Sequence, residues 1–479
     1  MNTMTQKAIV SFGGPFPYDR SFRGQMFVMG DLIREAVSRK MTSTVITKCH
    51  ERRSQILSCI EPQMASICRK AFSSELLFRY KEEFESARKE DKRRRKSCQN
   101  PLEAWNQFYG IDVVRRLLEE NREVHYLMHY YNSRFQDADF FSETVKSAGL
   151  CRQIKGYYII HICPDQLIDN NVNGKWVISE HTKGTVENLM KAIRNECFDK
   201  FIAVSEATKT MWLELIEKFK FNVWDAYEKI KAVPNGIDTN LYHDVTLVEN
   251  RKEIDAEREA LGFGKNVRKI ALVMTRPSIS KGIDRIRDIL RECNSSTDPS
   301  IKRIGFLVAL PETEGTAEFV NFMREMDNLV KEKRIRATID ISKVLRGRED
   351  LITDFKSMQR FIPSSYENEG FYTPPIKYPL TYVSDVLLHV PHAEAFGLVL
   401  AEALLSGCSV VTTNVGGIPE VIRNAPDRAI GLREDRFDIG EVLMYLQELG
   451  RHPASNERLV QQFSLKNQFD SIMGDGNGE

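Results

Sequence analysis

The chain has 479 residues, enough for two or three domains at about 100–200 residues each. Apolar residues make up 42% and aromatics 9%, which supplies material for real cores and excludes wholesale disorder. Lys plus Arg number 68 against 67 Asp plus Glu, a net charge of +1 that excludes a generic nucleic-acid coat and leaves only local basic patches.

From the start, Lys7–Phe12 reads as a buried strand, Gly13–Gly24 as a glycine-bearing loop, Gln25–Arg39 as an amphipathic helix and Thr42–Thr47 as a second strand. Strand, loop, helix, strand is the opening of a parallel α/β unit. Residues 48–105 interrupt it. Of the 16 residues Lys81–Lys96, 13 are charged, so this segment reads as a solvated helical insertion rather than core. Further strands are expected at Val124–His129, Tyr157–Cys163, Lys200–Val204 and Lys231–Pro234, with a helix at Thr185–Asn195. The turn Pro234-Asn235-Gly236 closes this half, and Thr239–Asn266 reads as a linker with a surface helix.

A second α/β series opens at Arg268–Met274. Its strands include Arg303–Leu310, Ser384–Val390 and Ser409–Thr413, with a helix at Glu314–Lys333 and a loop over Phe361–Leu380. One last helix is expected at Asn456–Met473. The pattern gives two doubly wound α/β halves facing a cleft, with domains at 1–238 and 239–455 and a closing helix in 456–479. No apolar run approaches a bilayer span, and Met1–Ser11 lacks signal-peptide character, so a cytoplasmic protein is expected. The nine cysteines are scattered without a CxxC pair; neither a disulfide framework nor a zinc site is expected, and Cys163 reads as a small buried hydrophobe.

The most informative segment is His392–Glu402, His-Ala-Glu-Ala-Phe-Gly-Leu-Val-Leu-Ala-Glu. Glu394 falls in the loop beyond a strand's carboxyl end. Gly397 and Leu398 open a helix, whose free N–H groups and positive dipole end suit phosphate. Glu402 lies further along that helix, within reach of another part of the same ligand. The helix stops at Gly407, and a strand leads on to Gly416-Gly417 and Glu420. Two carboxylates bracketing an anion-binding helix start suit a nucleotide sugar.

The spacing Glu394-x7-Glu402 around Phe396-Gly397-Leu398 resembles the signature of retaining glycosyltransferase family 4, of the GT-B fold. Other segments are similar to the family in its own order. Arg276 and Lys281, in Thr275–Gly282, resemble the two cations that grip the donor diphosphate. Val233–Asp238 resembles the interdomain turn, with Asn-Gly expected at positive φ, and Phe201–Ser205 the strand before it. Phe463-Ser464 resembles the closing helix that crosses back to the N-terminal domain. Gly24-Gln25-Met26-Phe27-Val28 is similar to the donor loop of the sucrose-phosphate-synthase branch, with Gly14 and His129 as acceptor-side candidates. His161 resembles the histidine near the reacting carbon. The family's usual Gly and Trp are Arg23 and Leu465 here. His181, His243 and His392 are given no site role.

The resemblance implies two Rossmann-like domains and a hexosyltransferase acting with retention. Its donor is a nucleotide-diphosphate sugar, a UDP sugar first, and its acceptor a hydroxyl. Arg276, Lys281, Glu394 and His161 carry the chemistry. Gly24, Gln25, Phe396, Gly397, Leu398 and Glu402 complete the donor site. No cofactor and no obligatory metal are implied. Asp137-Ala138-Asp139 spells a metal motif but follows a polar stretch, and is read as surface. Two rival classes stand beside this: a nucleotide-sugar hydrolase or phosphorylase, and a catalytically silent binding relative. The run Lys92-Arg93-Arg94-Arg95-Lys96 reads as a solvated helix, or else as a docking surface for an anionic partner or membrane.

Overall fold

In the computed structural model the described residues are 7–13, 28, 31–32, 35–36, 38–39, 41–47, 111–120, 122–129, 135, 145–164, 171–172, 175–176, 180–237, 239, 254–255, 258–259, 263, 266–275, 278–310, 337–340, 377–452 and 457–474. Gly14, Gly24, Gln25, the whole insertion 48–105 with Lys92–Lys96, Asp137, Asp139, His243, Arg276 and the helix expected at Glu314–Lys333 lie outside them, as do the side chain of His181 and residues 361–376. By their internal contacts they form two units. One runs up to Pro234 and includes Lys466 onward; the other is Asn235–Leu465.

The first unit carries strands β1 (Lys7–Gly13), β2 (Thr42–Thr47), β3 (Glu123–His129), β4 (Ile154–Ile160), β5 (Lys200–Ala203) and β6 (Ile230–Ala232). They form one parallel sheet in the order β2-β1-β3-β4-β5-β6. Helices α1 (Ile111–Glu119), α2 (Glu180–Arg194), α3 (Glu206–Lys218) and α4 (Val223–Lys229) accompany it. Val28, Leu32 and Ala36 are helical and buried, the i, i+4 stripe expected of Gln25–Arg39. Near-continuous apolar strands such as Tyr157–Ile160 are what a sheet covered on both faces requires. The core gathers Tyr126, Tyr158, Phe198, Phe201 and Trp212. Ser205 caps α3 by accepting from the Thr208 N–H at 3.0 Å, a structural reason for Ser after that strand.

The second unit carries β7 (Lys269–Met274), α5 (Ile283–Ser295), β8 (Ile304–Leu310), β9 (Ala337–Asp340), α6 (Lys377–Val383), β10 (Val386–His389), α7 (Leu398–Leu405), β11 (Ser409–Thr413), α8 (Ile418–Ile422), β12 (Ala429–Leu432) and α9 (Ile439–Glu448). Its sheet is parallel, in the order β9-β8-β7-β10-β11-β12. Numbered within the unit this is 3-2-1-4-5-6, the doubly wound order whose direction reverses between β7 and β10. Ligands bind beyond the carboxyl ends of the strands at such a reversal.

Several expectations are corrected. Lys377–Val383 is helical where a loop was expected; its proline falls in the first turn, where a missing N–H is harmless, and Leu380, Tyr382 and Val383 are buried. The last helix is two, α10 (Glu457–Gln462) and α11 (Leu465–Met473). It breaks because Phe463 O accepts from the Ile237 N–H at 2.9 Å, and Ile237 pairs with Ser464. Gly236 is not at positive φ. It is needed for close approach: a Cβ there would meet Leu465 Cα at 2.6 Å. Cys151 and Cys197 form a disulfide across 46 residues. Parallel pairing of β4 and β5 brings the turns before these strands together, which sequence spacing does not reveal. Cys163 is buried and lies outside that disulfide. No helix among the described residues is long and apolar enough to cross a membrane.

Candidate active site

Three loops at the carboxyl edge of the second sheet are stitched to one another. After β7, the turn Ile279–Lys281 ends at Gly282, in the left-handed conformation at φ 73°. A Cβ at Gly282 would meet Val390 O at 2.0 Å, so only glycine lets this turn lie against the end of β10. Ser280 O accepts from the N–H groups of both His392 and Ala393 at 3.0 Å. On the other side, Thr413 Oγ1 donates to Pro391 O at 2.6 Å and the Gly417 N–H to Glu394 O at 3.1 Å. Gly416, at φ 50°, passes so close that a Cβ would stand 1.8 Å from Glu394 O. The glycines around this loop are therefore steric requirements of one assembly.

That assembly brings Lys281 and Glu394 together. Lys281 Nζ donates to Glu394 Oε2 at 2.7 Å, although 113 residues separate them. His389 Nε2 lies 3.1 Å from the same oxygen. Both chains are nearly buried, Lys281 at 8% exposure and Glu394 at 9%. Burial alone would raise the Glu394 pKa. The Lys281 charge and the His389 hydrogen bond outweigh it and hold the carboxyl well below its usual range. Glu394 is therefore an anion at neutral pH, fixed on one oxygen.

Gly397, at φ 94°, caps α7 without a side chain in the way. The first-turn N–H groups of a helix have no intrahelical acceptor, so this end offers donors and a positive dipole to an anion. Leu398 and Val399 are half-buried there. Phe396 faces inward, edge-on to Phe463 with centroids 6.2 Å apart; it anchors the loop. Glu402 is in the second turn of α7 and 4% exposed. The helix ends as the sequence indicates: the Cys408 N–H returns to Ala403 O and the Gly407 N–H to Leu404 O, with Gly407 at φ 84°.

Beside this centre is an ion network that sequence reading missed. Arg285 donates to Pro391 O at 3.1 Å, pairs with Glu434 at 2.7 Å and lies over the Phe437 ring at 4.5 Å. His392 lies between Asp284 at 3.0 Å and Glu434 at 3.2 Å. These two hydrogen bonds outweigh partial burial and push its pKa up to about 9, so the ring is charged at neutral pH. His392 thus ties the Glu394 loop to the start of α5 and the turn after β12.

In the first unit, His129 ends β3 and His161 follows β4 directly. Their rings stack 5.4 Å apart, with His129 Nδ1 and His161 Nε2 at 3.1 Å. One hydrogen serves the pair, so the two tautomers are linked. Burial lowers both pKa values, that of His161 to about 3, and both rings are neutral at pH 7. Trp212 Nε1 donates to Ile162 O at 3.1 Å and fixes the backbone just after His161. Among the described residues no group of three or more His, Cys, Asp or Glu is placed to hold a metal.

The sheets, the strand order and this carboxyl-edge assembly define an α/β protein of the GT-B fold. Residues 373–460 match the family model described as "Glycosyl transferases group 1", which covers Glu394 to Glu402. N-acetyl-alpha-D-glucosaminyl L-malate synthase of Bacillus anthracis is 32% identical over 104 residues, a stretch covering 20% of this chain and 27% of that protein. A protein of Anabaena, HepE, solved in complex with UDP and glucose, superposes with TM-score 0.58 at 15% identity, over 98% of this chain and 99% of its own. Sucrose-phosphate synthase from Thermosynechococcus elongatus gives 0.55 at 13%, over 98% of each chain. At such identities the likeness carries the fold.

Proposed function

We propose that this chain is a glycosyltransferase that moves a hexose from a nucleotide-diphosphate sugar, a UDP sugar first, to a hydroxyl acceptor with retention at the anomeric carbon. The carrying observation is the meeting of Lys281 and Glu394 at 2.7 Å at the reversal of the strand order, beside the start of α7. A cation and a helix's amide end suit a diphosphate; a fixed carboxylate suits sugar hydroxyls. The group 1 match over this segment and the UDP and glucose of the Anabaena structure support the same reading.

In the reaction the bond from the anomeric carbon to the diphosphate oxygen breaks and a bond to the acceptor oxygen forms on the same face. The acceptor's proton passes to the departing phosphate, leaving a nucleoside diphosphate and a glycoside. Charge grows on the leaving group, so donors already in place there lower the barrier most. Lys281, Arg276 and the first N–H groups of α7 have that task. Glu394 accepts from the sugar hydroxyls and Glu402 from the ribose. No metal is required.

Two measurements test this. A thermal-shift panel of nucleoside diphosphates and nucleotide sugars identifies the donor, since a ligand stabilises the state that it binds. With that donor, Lys281→Ala lowers turnover about a hundredfold or more; a loss of only a few-fold removes Lys281 from the leaving-group role.

A further inference from the structure

His389 ends β10 five residues before Glu394, inside an apolar run, and its side chain is 2% exposed. Its Nε2 and Lys281 Nζ converge on a single oxygen, Glu394 Oε2. An ionised carboxylate only accepts, so Nε2 carries the hydrogen. Nδ1 is buried and has no hydrogen-bond partner among the described residues. The ring hydrogen that meets the carboxylate is therefore on Nε2, and Nδ1 faces no acceptor among the described residues. His389 therefore orients Glu394 through one directed hydrogen bond.

The two donors differ in kind. Lys281 is a point charge on a flexible four-carbon stem, and a phosphate competes with Glu394 for its three N–H groups. The imidazole is a short, stiff side chain sealed at the end of a central strand. It keeps its bond to Oε2 whichever acceptor Lys281 serves.

We propose that His389 is the positioning residue of the donor-sugar subsite: its Nε2–H pins Oε2 of Glu394 so that Oε1 stays free for a sugar hydroxyl while Lys281 serves the diphosphate. This rests on the reading of Glu394 as the sugar-binding carboxylate. It separates two parts of one ligand: the sugar depends on His389 and the diphosphate does not.

The test is calorimetric titration of UDP, GDP and ADP, each alone and as its glucose conjugate, into wild type, His389→Gln, His389→Asn and His389→Leu. The Gln amide reaches the place of Nε2 and can still donate to Glu394; the Asn amide falls nearer Nδ1, and Leu donates nothing. For the conjugate that wild type binds, Asn and Leu variants that melt like wild type should lose about tenfold or more in affinity, while the bare diphosphate changes by less than about twofold. The Gln variant should stay within about threefold of wild type for both. Equal losses for conjugate and diphosphate, no loss for the conjugate, or a Gln variant as poor as Asn would each overturn the role of His389 while leaving the donor site standing. If wild type bound none of the six ligands, the glycosyltransferase reading itself would fall, and this role with it.

Discussion

Lys281 and Glu394 illustrate why a buried ion pair says more about function than about stability. Each loses hydration on burial, and their attraction largely offsets that cost. Removing one partner strands the other, so Lys281→Ala should cost about 3 kcal/mol of stability as well as activity, read by denaturant unfolding. Lys281→Arg should recover much of the stability; a variant as stable as wild type after Lys281→Ala would show that the pair is not buried in solution. His392 gives a separate signal. Its pKa is raised from 6.5 to about 9 by Asp284 and Glu434, so it stabilises the fold fully below about pH 6.5. That contribution, on the order of 1 kcal/mol, fades as pH rises through about 9. NMR titration of the ring should show Glu434→Gln bringing the midpoint down toward 6.5; an unchanged midpoint would mean that Glu434 does not touch it. The structure brings together Lys281 and Glu394, whose place in loops at the ends of strands was legible from their motifs. His389 was not: a lone histidine in an apolar strand gives no hint that its Nε2 meets a carboxylate five residues on.

Among elements, the glycines report how closely loops approach. Gly416→Ala puts a Cβ 1.8 Å from Glu394 O and strains a residue at φ 50°, so the loop that holds the carboxylate must move. The variant should lose about 2 kcal/mol or more in chemical denaturation and lose donor affinity with it. Gly450→Ala, with nothing within 4 Å of the added Cβ, serves as the matched control and should change neither. If Gly416→Ala bound donor like wild type, the stitching of Gly416 to Glu394 would not position the site. Strands were read well wherever an apolar run met a turn signal, and Thr42–Thr47 and Ser409–Thr413 agree residue for residue. Errors arose where distant partners decide. Val386–His389 is shorter than the expected Ser384–Val390: at its start Ser384 Oγ donates back to Leu380 O, and just past its end Pro391, His392 and Ala393 bond to Thr413 and Ser280. Asn456–Met473 breaks where the Ile237 N–H takes the carbonyl of Phe463 and Ile237 bridges to Ser464. Gly236 was assigned its role for conformation, whereas its neighbour Leu465 is 229 positions away in sequence and could not be read locally.

For the molecule as a whole, two parallel sheets with reversed strand order follow from a sequence whose strands alternate with helices, and that alternation was legible from Lys7 to Thr47 and again from Lys269 to Thr413. The Cys151–Cys197 link was not, since parallel pairing of β4 and β5 creates it. Reduction, or Cys151→Ser, should lower stability by about 2–4 kcal/mol, seen as an earlier unfolding transition under dithiothreitol. An identical melt with and without reductant would show the pair to be thiols. The site itself is read most directly from a crystal grown with UDP-glucose, or with whichever nucleotide sugar of the panel raises the melting temperature. The diphosphate should lie about 3 Å from Lys281 Nζ and the first amides of α7, with sugar hydroxyls on Glu394 Oε1. A nucleotide sugar bound away from Lys281 and α7, or no nucleotide bound at all, would contradict the assignment.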